Sequence, residues 1–188
     1  MKSFFTSSSL GDINHDGISD IIVGCGQSIF AFNGYNGFKI WEFETNFFVT
    51  APAAIGDVDD DSTLEIIVGS NDRNIYMIDG DTGKIKWKFK TGGSIRASPA
   101  LGDLNNDGYL DIVIGSSDSY YYAFNGRTRT ILWTLKTELI LGGTAPTLAD
   151  VDGNNELDVL LNGKNVYIVG GRKGNLISIY NPVSYTHL

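Results

Sequence analysis

The chain has 188 residues, 42% of them hydrophobic and 12% aromatic, which is enough for one domain-sized core and excludes a disordered chain. Twenty-two acidic residues against 14 basic ones give a formal net charge of −8, which argues against nucleic acid and anionic membrane surfaces as partners. No stretch approaches the roughly 18 apolar residues of a membrane span. The first ten residues lack the apolar run of a signal peptide, so we expect either a cytoplasmic protein or a targeting segment elsewhere.

One unit repeats four times along the chain. Acidic segments follow Gly11, Gly56, Gly102 and Ala149, and their first aspartates are 45, 46 and 47 residues apart. Tryptophan recurs independently, 46 residues apart, at Trp41, Trp87 and Trp133. Because two unrelated residue types share one period, the sequence indicates duplication, and a period of this size is typical of repeat architectures.

Each repeat predicts four short strands. The first leads into the acidic loop through small residues and proline, as in TAPAAIG and RASPALG. The apolar, β-branched run after the loop, such as EIIVG from Glu65, predicts a strand that is buried on both faces. The third strand ends at a glycine-containing turn. The fourth alternates, so Ile85, Trp87 and Phe89 are expected to face one way and the lysines from Lys84 to Lys90 the other.

This pattern predicts an all-β chain, a β-propeller of four repeats of about 46 residues, each forming a four-stranded antiparallel blade. The blades are expected at residues 1–46, 47–92, 93–139 and 140–182. Propellers have roughly four to eight blades. We expect these four to be a fragment of a larger ring of about six to eight blades. Open blade edges would then favour self-association. Residues 183–188 fit no repeat and are expected to be a non-native or disordered tail.

The acidic loops carry the chemistry. Counted from the first aspartate, positions 1, 3, 5 and 9 bear a side-chain oxygen in all four loops. The sixteen residues are Asp12, Asn14, Asp16 and Asp20 in the first loop, Asp57, Asp59, Asp61 and Glu65 in the second, Asp103, Asn105, Asp107 and Asp111 in the third, and Asp150, Asp152, Asn154 and Asp158 in the fourth. Alternate spacing on a curled loop turns these side chains toward one point, and so many hard oxygen donors suit Ca²⁺ better than zinc or copper.

The predicted coordination shell is completed by the backbone carbonyl at position 7, from Ile18, Thr63, Tyr109 or Glu156. About four calcium ions, one for each blade, follow from this. The alternative is a set of polar turns, since Asp and Asn favour such conformations on their own. Three or four carboxylates within nine residues would repel one another without a cation, which favours the metal.

Position 6 of the loop requires a left-handed backbone. It holds Gly17, Gly108 and Asn155 in three loops but Ser62 in the second. The second loop offsets this with four carboxylates at its ligand positions.

The Asp-x-Asp/Asn-x-Asp-Gly-x-x-Asp loop between the first two strands resembles the calcium-binding FG-GAP or VCBS-type repeats of integrin α-subunit propellers and their bacterial relatives. The resemblance covers essentially the whole chain and implies the same sixteen ligands. It also implies an extracellular, cell-surface or periplasmic protein that serves adhesion, binds a protein or carbohydrate ligand, or accompanies a polysaccharide-processing enzyme. Ser62 and a weak Phe-Gly element depart from the pattern.

A second resemblance lies in the segments AFNGYNGFKIW, MIDGDTGKIKW and AFNGRTRTILW. They are similar to the tryptophan-docking motif of quinoprotein (PQQ-like) propellers, in which the tryptophan packs against the neighbouring blade. Trp41, Trp87 and Trp133 match, whereas the fourth repeat has Ser178. We expect a packing role for these rings rather than contact with a quinone cofactor.

Few residues suggest an enzyme. His15 is expected to face solvent at loop position 4, and His187 lies near the end of the chain. Cys25 aligns with Ser70 and Ser116, which suggests a small turn residue rather than a nucleophile. We therefore predict a non-catalytic calcium-binding module. The alternatives are the propeller part of a polysaccharide lyase or hydrolase, or of a quinoprotein-type dehydrogenase.

Two surface features leave alternatives open. The lysine row at residues 84–90 favours protection of a sheet edge from pairing over a patch for an acidic ligand. The three tyrosines at 120–122 could stack on sugars, but alternation along a strand buries at least one of them.

Overall fold

The structure is a computed structural model that describes residues 6–138 and 144–181. Within these ranges, sixteen strands form four antiparallel sheets of four strands each. No helix in the described ranges is long and apolar enough to cross a membrane. The tail expected at residues 183–188 lies outside the described residues.

Each sheet is built from one repeat, and its strands follow one another in chain order. The first blade holds β1 (Ser9–Gly11), β2 (Asp20–Cys25), β3 (Ser28–Phe32) and β4 (Lys39–Glu44), and the second holds β5 (Ala54–Gly56), β6 (Glu65–Gly69), β7 (Asn74–Asp79) and β8 (Ile85–Lys90). The third holds β9 (Ala100–Gly102), β10 (Asp111–Ser116), β11 (Tyr120–Phe124) and β12 (Ile131–Lys136), and the fourth holds β13 (Thr147–Ala149), β14 (Asp158–Asn162), β15 (Val166–Gly170) and β16 (Leu176–Tyr180).

The blades stand side by side around their three-residue first strands. Strand β1 contacts β5, β5 contacts β9, and β9 contacts β13, so the blade order is the chain order. The predicted all-β propeller architecture is confirmed. Among the described strands the four sheets form an open series rather than a closed ring.

The core lies between neighbouring blades, because alternate side chains of each inner strand point to opposite neighbours. In β6, Ile66 and Val68 join the core shared with the first blade, while Ile67 joins the core shared with the third. Strands β6 and β10 are buried along their whole length, as predicted. The prediction is wrong for β2, where Ile21 is 38% exposed. Its side chain points to the face that no described blade covers.

The fourth strands depart from simple alternation. In each blade the register between the third and fourth strands shifts by one residue, which is a β-bulge. In the second blade Ile78 pairs with Ile85 and Met77 pairs with Trp87, so Lys86 is the extra residue. Ile85 is consequently 48% exposed, and the Lys86 side chain is 17% exposed. The expectation that Ile85 faces the same way as Trp87 and Phe89, and Lys86 the same way as the other lysines, is wrong, because the bulge interrupts the alternation at both residues.

Trp41 and Trp133 dock on the following blade. The Trp41 indole N–H donates to the Gly80 carbonyl at 2.6 Å, and the Trp133 N–H donates to the Gly171 carbonyl at 2.5 Å. Trp87 is half-buried and packs edge-on against Phe124 of the third blade at a centroid distance of 5.0 Å. All three tryptophans therefore pack against the following blade, as predicted. Trp41 and Trp133 do so with an indole hydrogen bond, and Trp87 does so with an edge-on ring contact.

Two smaller predictions concern buried residues. Tyr121 is fully buried, and its hydroxyl donates to the Asn162 carbonyl at 2.6 Å, while Tyr120 and Tyr122 are half-buried. Alternation therefore buries one of the three tyrosines, as predicted. Cys25 is also buried, but it is the last residue of β2, and the turn begins at Gly26.

Candidate metal centres

The four acidic loops join the first strand to the second in each blade, so they lie at equivalent ends of the four sheets. In every loop the carboxylate at position 1 accepts the backbone N–H groups of positions 5 and 6, which curls the chain around it. The position-5 N···O distances are 3.1 Å for Asp16 to Asp12, 3.2 Å for Asp61 to Asp57, 3.1 Å for Asp107 to Asp103, and 3.1 Å for Asn154 to Asp150.

Positive φ values at two positions produce the curl. Position 6 has φ of 85° at Gly17, 68° at Ser62, 88° at Gly108 and 63° at Asn155, so the left-handed backbone predicted there is confirmed, including at the serine. Position 4 is left-handed as well, at His15, Asp60, Asn106 and Gly153, which sequence reasoning missed. The His15 side chain is exposed, as expected, and His187 lies outside the described residues.

The position-9 carboxylate begins the second strand and is buried in all four blades. Asp20, Glu65 and Asp111 are 0% exposed and Asp158 is 1% exposed. One oxygen of each accepts the backbone N–H of position 2. The N···O distances are 3.2 Å from Ile13, 2.9 Å from Val58, 3.0 Å from Leu104 and 3.0 Å from Val151. A buried charge needs compensation. Burial raises the pKa of Asp111 to about 6.

Positions 5 and 7 form a tight turn. The side-chain oxygen at position 5 accepts the N–H of position 7, with N···O distances of 2.9 Å for Ile18, 2.9 Å for Thr63, 3.0 Å for Tyr109 and 2.7 Å for Glu156. These four residues therefore lie in the loop, and their carbonyls as metal ligands stay a prediction. Hydrogen bonds, first from the Ile18 N–H and then from Asn33, hold the pKa of Asp16 below its ordinary value.

Three carboxylates come together in the second loop and three in the fourth. Carboxylate oxygens of Asp57, Asp59 and Asp61 lie within 4.8 Å of one another, as do those of Asp150, Asp152 and Asp158. The first and third loops carry an amide at position 3, and its oxygen accepts the position-5 N–H at 2.9 Å in each. A cavity of about 440 Å³ opens beside the fourth loop and is lined by Asp152, Asn154 and Asp158 among others.

The second loop differs because a basic side chain lies among its carboxylates. Lys86 Nζ is 2.8 Å from Asp61 Oδ2, 2.8 Å from Glu65 Oε1 and 3.0 Å from Asp59 Oδ2. Burial opposes the Lys86 charge, but hydrogen bonds to Asp61, Glu65 and Asp59 hold the pKa of Lys86 above its ordinary value. The hydrogen bond from Lys86 likewise holds the pKa of Asp61 well below its ordinary value. Burial still raises the pKa of Glu65.

A second cation reaches the same loop from the third blade. Arg129 Nη2 lies 3.0 Å from Asp59 Oδ2. Arg129 has a φ of 63°, at the turn position where the other three repeats place Gly37, Gly83 and Gly174. Sequence reasoning missed both Lys86 and Arg129 as parts of this site. The signal for each is a break in the repeat, since an arginine replaces a glycine and a lysine replaces an apolar residue.

The fold is similar to that of many solved structures, among them the following three. BamB from Moraxella catarrhalis is 20% identical with a TM-score of 0.71, and the match covers 94% of this chain and 49% of that one. Quinohemoprotein alcohol dehydrogenase from Comamonas testosteroni is 14% identical with a TM-score of 0.69, over 96% of this chain and 35% of that one. A structure of BBS1N in complex with ARL6DN is 14% identical with a TM-score of 0.65, over 97% and 52%.

These likenesses establish the fold, and this chain spans about half or less of each of those chains. A search of curated protein sequences gave no significant match. The model of the FG-GAP-like repeat matches residues 57–114 and 103–161, together more than half of the sequence, and includes the second, third and fourth acidic loops. The chain therefore belongs to the FG-GAP-like repeat family.

Proposed function

We propose that this chain is a calcium-binding, non-catalytic β-propeller module for adhesion or for binding a protein or carbohydrate ligand. The main support for the calcium proposal is the buried carboxylate at position 9. It faces its own loop, in which the other oxygen-bearing side chains are folded back around it. Asp20, Asp111 and Asp158 each have this setting, and no described ion pair reaches a side chain at position 1, 3, 5 or 9 of their loops. In the fourth loop Arg172 lies 3.7 Å from the Glu156 carboxylate, while the ligand atom predicted for Glu156 is its backbone carbonyl.

The donor set of the first, third and fourth loops fits Ca²⁺. Each offers three carboxylates and one amide oxygen at positions 1, 3, 5 and 9, with a backbone carbonyl at position 7. Hard oxygen donors in this number suit calcium. Bound calcium supplies positive charge that offsets the carboxylates. The chain's own residues then fix the loop to the start of the second strand, which makes the proposed role structural.

An exterior location is compatible with the calcium affinity that is typical of extracellular modules. Calcium sites of extracellular modules bind at roughly 10⁻⁴–10⁻³ M, which matches a calcium-rich exterior and not the cytosol. We therefore propose that the protein works outside the cell, at the cell surface or in the periplasm. The net charge of −8 makes nucleic acid a poor ligand.

We also propose that the chain self-associates through the outer faces of the first and fourth blades, which end the series of described blades. Strand β16 exposes Leu176, Ile179 and Tyr180, which are 51%, 44% and 58% exposed. Exposed strand edges with apolar side chains pair readily. Sedimentation velocity is expected to show a larger species as the protein concentration rises, and a single monomer boundary at all concentrations contradicts this.

The calcium proposal is tested by thermal unfolding with 10 mM CaCl₂ and with excess chelator, together with titration calorimetry. At roughly ten to a hundred times Kd, each site adds about 1.4 to 2.7 kcal/mol to the free energy of unfolding. We expect Asp107→Asn to reduce the calcium-dependent rise in Tm, and Asp81→Asn, an exposed aspartate outside the loops, to leave it unchanged. An unchanged Tm with no heat of calcium binding refutes the proposal.

The second candidate function is the propeller part of an enzyme. The likeness to a quinohemoprotein alcohol dehydrogenase is the observation that favours it, although at 14% identity that likeness carries the fold alone. Incubation with a panel of acidic polysaccharides separates a binding module from a polysaccharide lyase. A lyase releases an unsaturated product that absorbs in the ultraviolet, whereas a binding module retains the intact polysaccharide.

A further inference from the structure

The ammonium group of Lys86 lies among the carboxylates of the second acidic loop. It lies within 3.0 Å of oxygens from Asp59, Asp61 and Glu65, three of the four side chains at the ligand positions. A lysine ammonium has three N–H donors, so these three carboxylates use all of them. Glu65 is fully buried and the Lys86 side chain is 17% exposed, so the cluster is a partly buried, charge-compensated group and not a surface ion pair.

The backbone explains how a fourth-strand lysine reaches this loop. Lys86 is the extra residue of the β-bulge between β7 and β8. The same register shift occurs in the other three blades, where the extra residues are Ile40, Leu132 and Ile177. Ile177 lines the cavity beside the fourth loop, so this position faces the acidic loop there as well. Only the second blade places a charged group at this position.

Arg129 reinforces the arrangement. Its guanidinium bonds to Asp59 Oδ2 at 3.0 Å from the third blade. The four carboxylates at the ligand positions of the second loop and these two cations together carry a formal charge of −2. The ligand positions of each other loop carry a formal charge of −3, and hydrogen bonds from neutral Asn33 and Asn125 reach the position-5 aspartates of the first and third.

We propose that Lys86 is a built-in cation that takes the place of calcium in the second loop, so that the chain binds three calcium ions rather than four. This inference rests on the calcium function proposed above for the other loops. Calcium would need the same oxygens at 2.3–2.6 Å, where an ammonium bonded to them at 2.8–3.0 Å leaves no room for a second cation. The two cations also repel each other, so they exclude one another.

One consequence is that the second loop is ordered without calcium, while the other three depend on it. Hydrogen exchange is expected to show equal protection of residues 57–65 in calcium and in chelator. Residues 12–20, 103–111 and 150–158 are expected to gain protection when calcium is added. A calcium-dependent gain within residues 57–65 that equals the gain in the other loops contradicts the inference.

The decisive measurement is the number of calcium ions bound per chain, by equilibrium dialysis and atomic emission at 10 mM free calcium. The variant is Lys86→Met, which keeps the length of the side chain and removes its charge. Lys90→Met, an exposed lysine on the same strand, is the matched control. We expect three ions for the unaltered chain and for Lys90→Met, and four for Lys86→Met. A Lys86→Met variant that gains no ion overturns the inference.

A second variant keeps the test decisive if Lys86→Met does not fold. Asp61→Asn in the otherwise unaltered chain is expected to leave the calcium count unchanged, whereas Asp107→Asn is expected to lose one ion. Loss of one ion in Asp61→Asn overturns the inference. An unaltered chain that binds no calcium refutes the proposed function and with it the count of three ions. One ion gained by Lys86→Met in that case still shows that Lys86 takes the place of calcium in the second loop, so the two failures are distinguishable.

Discussion

The indole ring of Trp41 lies directly on Gly83 of the following blade, so closely that a Cβ at Gly83 would be 2.7 Å from Trp41 Cγ. Gly83 also has a φ of 68°, in the left-handed region that glycine adopts without a penalty. The same relationship recurs between Trp133 and Gly174, again at 2.7 Å. Each glycine thus serves both the turn and the junction between two blades.

Gly83→Ala is expected to lower the free energy of unfolding by about 2 kcal/mol or more, because it adds a steric clash with Trp41 to the backbone strain. Gly37→Ala is the matched control. Gly37 holds the same turn position with a φ of 72°, and a Cβ there meets no atom within 4 Å, so only the strain of about 1 kcal/mol applies. Urea unfolding of both variants measures the difference, and equal losses contradict the packing argument.

Trp41→Phe is expected to cost about 2–3 kcal/mol, because it leaves the Gly80 carbonyl without its buried hydrogen bond and opens space beside Gly83. Trp87→Phe is expected to cost less, since Trp87 is half-buried and packs on Phe124 through its ring alone. Chemical denaturation gives both values. A larger loss for Trp87→Phe than for Trp41→Phe would contradict the two forms of docking described here.

Two substitutions of Arg129 are expected to differ in the free energy of unfolding that they leave. Arg129→Ala removes the ion pair with Asp59 and keeps a non-glycine residue at a φ of 63°, so it lowers the free energy of unfolding. Arg129→Gly removes the same ion pair but relieves roughly 1 kcal/mol of backbone strain. We therefore expect Arg129→Gly to be about 1 kcal/mol more stable than Arg129→Ala in urea unfolding. The reverse order would mean that this position does not favour glycine.

The repeat made much of this predictable. A 46-residue period shared by aspartate loops and tryptophans located the blades, and the turn chemistry located the left-handed position 6, even at Ser62. Lys86 was missed because strict alternation along β8 places it among the outward lysines, and a bulge has no signature in an alternating pattern. Arg129 was missed because its partner Asp59 lies 70 residues earlier, in another blade. Comparison of the four repeats shows that Arg129 replaces a glycine and Lys86 an apolar residue, but it does not identify the carboxylates that they contact.

In the absence of calcium, the stability of the fold is expected to depend on pH. Asp111 is fully buried, and burial raises the pKa of its carboxyl to about 6 from an ordinary value of 3.8. A raised pKa in the folded state means that folding favours the protonated form. The resulting stabilisation is full below about pH 4 and is lost as the pH rises through about 6. In chelator, we therefore expect the free energy of unfolding to rise by on the order of 1 kcal/mol from pH 7.5 to pH 5.

Asp111→Asn isolates this contribution, because the amide does not titrate. The free energy of unfolding of the unaltered chain, relative to that of Asp111→Asn, should rise from pH 7.5 to pH 5. Urea unfolding in chelator measures it for both proteins. Asp16 and Asp107, whose pKa values are held below the ordinary value, act at lower pH and leave this window unaffected. Saturating calcium should abolish or reverse the trend, because protons and calcium compete for the same carboxylate. A pH dependence that is identical in both proteins would show that Asp111 is ionised in the calcium-free fold at pH 5, and its burial would then need another counter-charge.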